Sequence, residues 1–132
     1  MKKWFYILIL TLITTSIAQI YADTKKNEAY YQKLAAKDFT DAKVEHILED
    51  KTRVDILTDK EAIEVDWAYK WAEGVGQALY YSTMTGKEAG LILIIKEDKD
   101  MRYVKRVQKI ILIKSLKINL YIMQNEKLVR IE

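Results

Sequence analysis

Three acidic residues sit where a folded chain would bury them. Asp55 lies at the centre of the apolar run Arg53-Val54-Asp55-Ile56-Leu57, and Glu64 and Asp66 alternate through Ala62-Ile63-Glu64-Val65-Asp66. Residues two apart share one face of a strand, so Glu64 and Asp66 point the same way. Asp55 and Glu64 fall on neighbouring antiparallel strands in this reading, where their side chains can meet across the pair. Two carboxylates a few Å apart do not both stay ionised unaided. A lysine or arginine, a metal ion or a bound proton would neutralise them. A hard divalent cation such as Mg²⁺ or Mn²⁺ takes oxygen ligands from one or two carboxylates together with water and phosphate. Bound there, it would acidify a water for attack on a phosphodiester. The plainer expectation is a set of ion pairs with Lys51, Arg53 or Lys70 on the wet face of a meander.

The elements that must carry these residues can be read from periodicity. Residues 23–41 are polar, with Ala29, Tyr30, Leu34 and Ala35 spaced along one side of a helix. Residues 43–48, 52–58 and 61–66 read as three short strands separated by the charged turns Glu49-Asp50-Lys51 and Asp59-Lys60. From Trp67 the period changes: Ala68, Trp71, Ala72, Val75, Ala78 and Leu79 predict a helix over 67–84, stopped at Gly86. Gly74 and Gly76 each cost about 1 kcal/mol inside that helix, and close packing against a sheet would justify both. The unbroken apolar run at 89–95 predicts a central strand covered on both faces. A helix over 102–112 and a final buried strand over 118–123 complete the order α-β-β-β-α-β-α-β, an α/β fold with a mixed central sheet flanked by helices.

Residues 1–22 resemble a secretory leader: Lys2 and Lys3, an apolar stretch, then small residues with cleavage expected after Ala18 or Ala22. The apolar stretch is shorter than the ~20 residues of a spanning helix. Removing the leader leaves residues 23–132 as one α/β domain in the periplasm or the exterior, with no stable membrane association and a net charge of +1 in place of +3. Cysteine is absent, which excludes disulfides and thiolate metal sites. Charge is unevenly placed: residues 23–95 carry 10 Lys or Arg against 14 Asp or Glu, and residues 96–132 carry 10 against 5. An acidic centre beside a basic tail suits a metal site that leans on a polyanion, and a solvated surface would look the same. No Ser/His/Asp or Cys/His constellation, zinc spacing or phosphate loop occurs, and the single His46 has no partner motif. Trp67 is expected in the helix–sheet packing.

Asp55, then Glu64-x-Asp66, then a helix bearing Gln77-x-x-x-Tyr81, within the order α-β-β-β-α-β, resembles the PD-(D/E)xK nuclease superfamily, in its RecB-like and Holliday-junction-resolvase-like branches. The resemblance spans about residues 43–95. It implies a restriction-endonuclease-like core, Mg²⁺ or Mn²⁺ as cofactor, and nucleic acid as substrate, DNA before RNA. By position it implies that Asp55, Glu64 and the backbone carbonyl of Val65 bind the metal, with Glu45 as an upstream acid. Gln77 and Tyr81 would flank the active site. The chain departs from the family where it has Asp66 in place of the lysine two residues after the Glu. Lys70 shares a helical stripe with Gly74, Gln77 and Tyr81, so it is the displaced lysine in one reading. In the other it is only the i, i+4 partner of Asp66, worth about 0.3–0.5 kcal/mol, and the fold serves as a non-catalytic binding module.

Overall fold

The structure, a computed structural model, describes residues 6–7, 9–17 and 26–131. Asn27 begins α1 (Glu28–Ala36) as an N-cap, its side chain accepting the Tyr30 N–H. The meander follows as β1 (Lys43–Ile47), β2 (Arg53–Leu57) and β3 (Glu61–Trp67). A 3₁₀ turn, Ala68–Lys70, leads into α2 (Trp71–Thr85), then β4 (Glu88–Ile95), α3 (Met101–Lys114), β5 (Ile118–Gln124) and β6 (Lys127–Ile131). All six strands form one mixed sheet in sequence order. The two connections through helices join parallel neighbours, β3 to β4 and β4 to β5, while β1–β2, β2–β3 and β5–β6 are antiparallel.

The α/β class and the first eight elements follow the expected order. The chain does not close on β5, however. Asn125 and Glu126 both take positive φ, 49° and 61°, which is the two-residue turn that fits strand twist and returns the chain as β6. The helix predicted from Trp67 starts as a 3₁₀ turn, because Trp67 is still extended and still paired with Ile94. It ends where expected, at Gly86, in the left-handed region with φ 67°.

The continuous apolar run in β4 serves two cores. Leu91 and Leu93 face α2 and α3 with Ala78, Val104, Val107, Leu120 and Ile122. Ile92 and Ile94 face α1 with Ala35, Ile63, Val65, Tyr121 and Met123. Leu91, Ile92, Leu93 and Ile94 are all essentially inaccessible, and burying each such side chain contributes roughly 1.5–3 kcal/mol. Glu64 pairs in register with Leu91, and Asp66 with Leu93, so both acids point toward the α2 layer.

Gly74 has the packing role expected of it: a methyl there would lie 2.9 Å from Leu91 Cδ1 and 3.6 Å from Asp66 Cβ. Gly76 does not, since it is exposed with nothing within 4 Å of a Cβ. Residues 9–17 are helical with exposed apolar side chains, and the expected leader cleavage points after Ala18 and Ala22 lie outside the described residues. Among the described residues no helix is long and apolar enough to cross a membrane.

Candidate functional site

The pairing of β2 with β3 stops one step short of the acids. Its register runs Leu57 to Ala62 and Ile56 to Ile63, and the next pair would be Asp55 with Glu64. There the ladder gives way to a side-chain contact: Asp55 Oδ2 accepts the Val65 N–H at 2.8 Å. The carboxyls of Asp55 and Glu64 lie close enough to act on each other's charge, as the nine-residue spacing around a tight turn allows. Both are buried, at 7% and 5% exposure.

Burial raises the Glu64 carboxyl first, and the charges of Asp55, Asp66 and Glu28 raise it further, to about 10. Asp55 is pushed up to about 6, mainly by burial, with the Val65 N–H opposing the rise. Each carboxyl thus opposes ionisation of the other, and the pair favours taking up a proton or a cation. Glu64 Oε2 is buried and has no hydrogen-bond partner among the described residues.

Asp66 is enclosed at the end of β3, beneath the first turn of α2 that Gly74 brings close. Its Oδ1 accepts the Trp67 N–H at 2.9 Å and faces Lys70 Nζ at 3.3 Å. Burial pushes Asp66 up to about 6 despite Lys70. Lys70 also lies 3.7 Å from Glu28 Oε2 and makes no ion pair with Asp55 or Glu64 among the described residues. Burial lowers the Lys70 ammonium pKa, and the carboxylates of Asp66 and Glu28 outweigh it, leaving the value raised. Gln77 lies one helical turn before Tyr81 on the same side of α2 and opposes the rise in the Tyr81 pKa. Tyr81 is buried, and burial together with the nearby Glu64 charge raises its pKa.

Asp55, Glu64, Asp66 and Tyr81 thus lie together under α2, with Lys70 at the rim; Gln77 is half-buried and bears on Tyr81 alone among them. Glu45 stays apart from them: it is exposed on edge strand β1 and pairs with Arg53 at 3.6 Å. Val65 shows its amide engaged with Asp55, and its side chain lies in the α1 core. Glu28 is the member that sequence reasoning missed. It acts on all three acids and on Lys70, yet it lies on α1, and no local pattern links it to β3. Trp67 packs against Tyr31 with ring centroids 5.6 Å apart, with Lys96 Nζ 4.6 Å from its ring, and His46 sits on β1 paired with Val54.

Among the described residues no three His, Asp or Glu side chains form a group that could hold a metal ion. A divalent ion here would rest on two carboxylates, Asp55 and Glu64, which is within the usual protein share for Mg²⁺. The donor set fits that demand: two hard oxygen groups from adjacent strands, one with a buried oxygen that nothing satisfies. The chain matches no protein-family model, no curated protein and no solved structure.

Proposed function

We propose that this chain is a divalent-metal-dependent phosphodiesterase acting on nucleic acid, DNA before RNA, built on a restriction-endonuclease-like core and exported from the cytoplasm. One observation carries the reading: two carboxyls from adjacent strands are buried side by side, and Glu64 Oε2 is left without a partner among the described residues. Carboxyls whose titration is strongly perturbed by burial and by one another are common where catalysis occurs. The element order through β4 is the one the PD-(D/E)xK resemblance implies.

Asp55 and Glu64 would hold Mg²⁺ or Mn²⁺. When bound, the ion supplies neutralisation of the scissile phosphate and acidification of a water. The protein residues have separate tasks. The Val65 amide holds the carboxylate of Asp55, and Glu64 would give up any proton it carries to bind the cation. Lys70, held by Asp66 and Glu28, presents a positive charge at the rim, and the Gln77–Tyr81 pair orients donors toward the phosphate.

A second reading is a non-catalytic nucleic-acid module on the same fold. It is favoured by the engagement of Lys70 with two carboxylates, which leaves its ammonium away from the Asp55–Glu64 pair. Titration calorimetry with Mn²⁺ at pH 7, paired with cleavage of labelled DNA and RNA, separates the two. The enzyme reading expects metal uptake with proton release and cutting that Asp55→Asn abolishes. It fails if the protein neither binds Mn²⁺ nor cuts.

A further inference from the structure

The strongest charged feature outside the carboxylate site is α3. From Met101 to Asn125 the sequence has six Lys or Arg and no Asp or Glu. None of these six makes an ion pair among the described residues. A run of this length with one sign of charge on an exposed helix is a candidate footprint for a polyanion.

The cations are also placed in a particular way. Arg106 is exposed, with Cζ 6.0 Å from the centre of the Trp71 ring and 5.3 Å from that of Tyr103. Arg102 lies 4.7 Å from the Tyr103 ring and donates to its hydroxyl at 2.8 Å. Trp71 follows Lys70 directly, and α3 packs on the Ala68–Lys70 turn. Lys70, Trp71, Arg106, Tyr103 and Arg102 therefore form one ribbon that begins beside the acids. A guanidinium over an aromatic ring keeps its N–H edge free for bidentate contact with phosphate, and Arg106 spends none of its donors on hydrogen bonds to described residues.

We infer that this ribbon is a strand-holding subsite for single-stranded nucleic acid, gripping phosphates through Arg102 and Arg106 and stacking unpaired bases beside Trp71 and Tyr103. It rests on the phosphodiesterase reading only in that the strand it holds is the one offered to Asp55 and Glu64. Interleaved rings and cations are the arrangement that tracks single strands without regard to sequence. An anionic lipid surface fits less well, because the exposed apolar residues of α3, Leu112 and Ile113, lie more than a turn beyond the arginines.

The test is fluorescence anisotropy with a labelled oligothymidine in chelator, where no cutting occurs, against the double variant Arg102→Gln/Arg106→Gln. Lys37→Gln/Lys43→Gln removes equal charge from exposed positions elsewhere and serves as control. Circular dichroism verifies that each variant is folded. The expected result is at least tenfold weaker binding by the arginine variant alone, with a salt slope reduced by about 1.4, the share of two phosphate contacts on a single strand. Trp71→Leu, with both arginines kept, is expected to weaken oligothymidine binding without changing the salt slope. Equal weakening in the control overturns the assignment, as does binding only to phosphatidylglycerol vesicles. Cleavage by wild type with unchanged oligonucleotide binding by the arginine variant removes the subsite and leaves the enzyme. Oligonucleotide binding that needs the arginines, without any cleavage, keeps the subsite and removes the enzyme.

Discussion

Replacing Glu64 by Gln isolates the cost of the buried acid. In the unfolded chain Glu64 loses its proton near its ordinary value of 4.5, whereas in the folded protein burial and the charge of Asp55 raise that value well above it. Across that interval the folded state binds the extra proton, so stability is full below pH 4.5 and falls as pH rises. The slope is at most about 1.4 kcal/mol per pH unit, so near pH 7 this one side chain costs the metal-free protein up to about 3 kcal/mol. That is a large part of the 5–15 kcal/mol typical of a domain. Glutamine keeps the shape and a donor toward Asp55 but has no proton to lose. Glu64→Gln should match wild type at pH 4.5 and exceed it by up to about 3 kcal/mol at pH 7. Urea midpoints measured in chelator from pH 4.5 to 8 read this directly. A variant that is less stable at pH 7, or whose stability falls with pH in parallel with wild type, would refute the account of a raised Glu64 carboxyl.

Gly76→Ala should stabilise α2 by about 1 kcal/mol, since a methyl there meets nothing, while Gly74→Ala should cost about 1–2 kcal/mol by pressing on the fully buried Leu91; thermal melts compare the two. Tyr121→Phe removes the hydroxyl that donates to buried Glu61 and should cost about 1–3 kcal/mol in urea unfolding, leaving Asn119 as that acid's remaining donor. Lys70→Ala should reduce Mn²⁺-dependent cleavage by roughly 10²–10³ if the lysine stabilises developing charge, with calorimetric metal affinity changing far less. Cleavage at the wild-type rate would confine Lys70 to its contacts with Asp66 and Glu28.

The convergence of Asp55 and Glu64 was legible because two short-range rules coincide: alternation fixes the face, and a tight turn fixes the register. Both depend only on neighbouring residues. What escaped the sequence depends on the third dimension or on unmarked backbone choices. Glu28 reaches the acids from another layer of the fold. The β5–β6 turn uses Asn125 and Glu126 in left-handed conformations without the glycine that usually announces such a turn. Gly74 and Gly76 differ by two positions and therefore by slightly more than a helical half-turn, so one meets the sheet and the other meets solvent. Lys70 ends a 3₁₀ turn before the helix proper, so helical spacing alone does not locate its side chain, and nothing local reveals that Glu28 holds it alongside Asp66.

The margins of the sheet have a consequence of their own. Strand β1 is short, and Glu45 in its middle takes φ 55°, so this border presents no straight row of amides and carbonyls. The opposite border, β6, carries Lys127 and Arg130. A kink on one side and charge on the other deny a second molecule any template on which to add a strand. The sheet is thereby self-limiting, which favours a chain that stays dispersed at high concentration over one that grows into fibres.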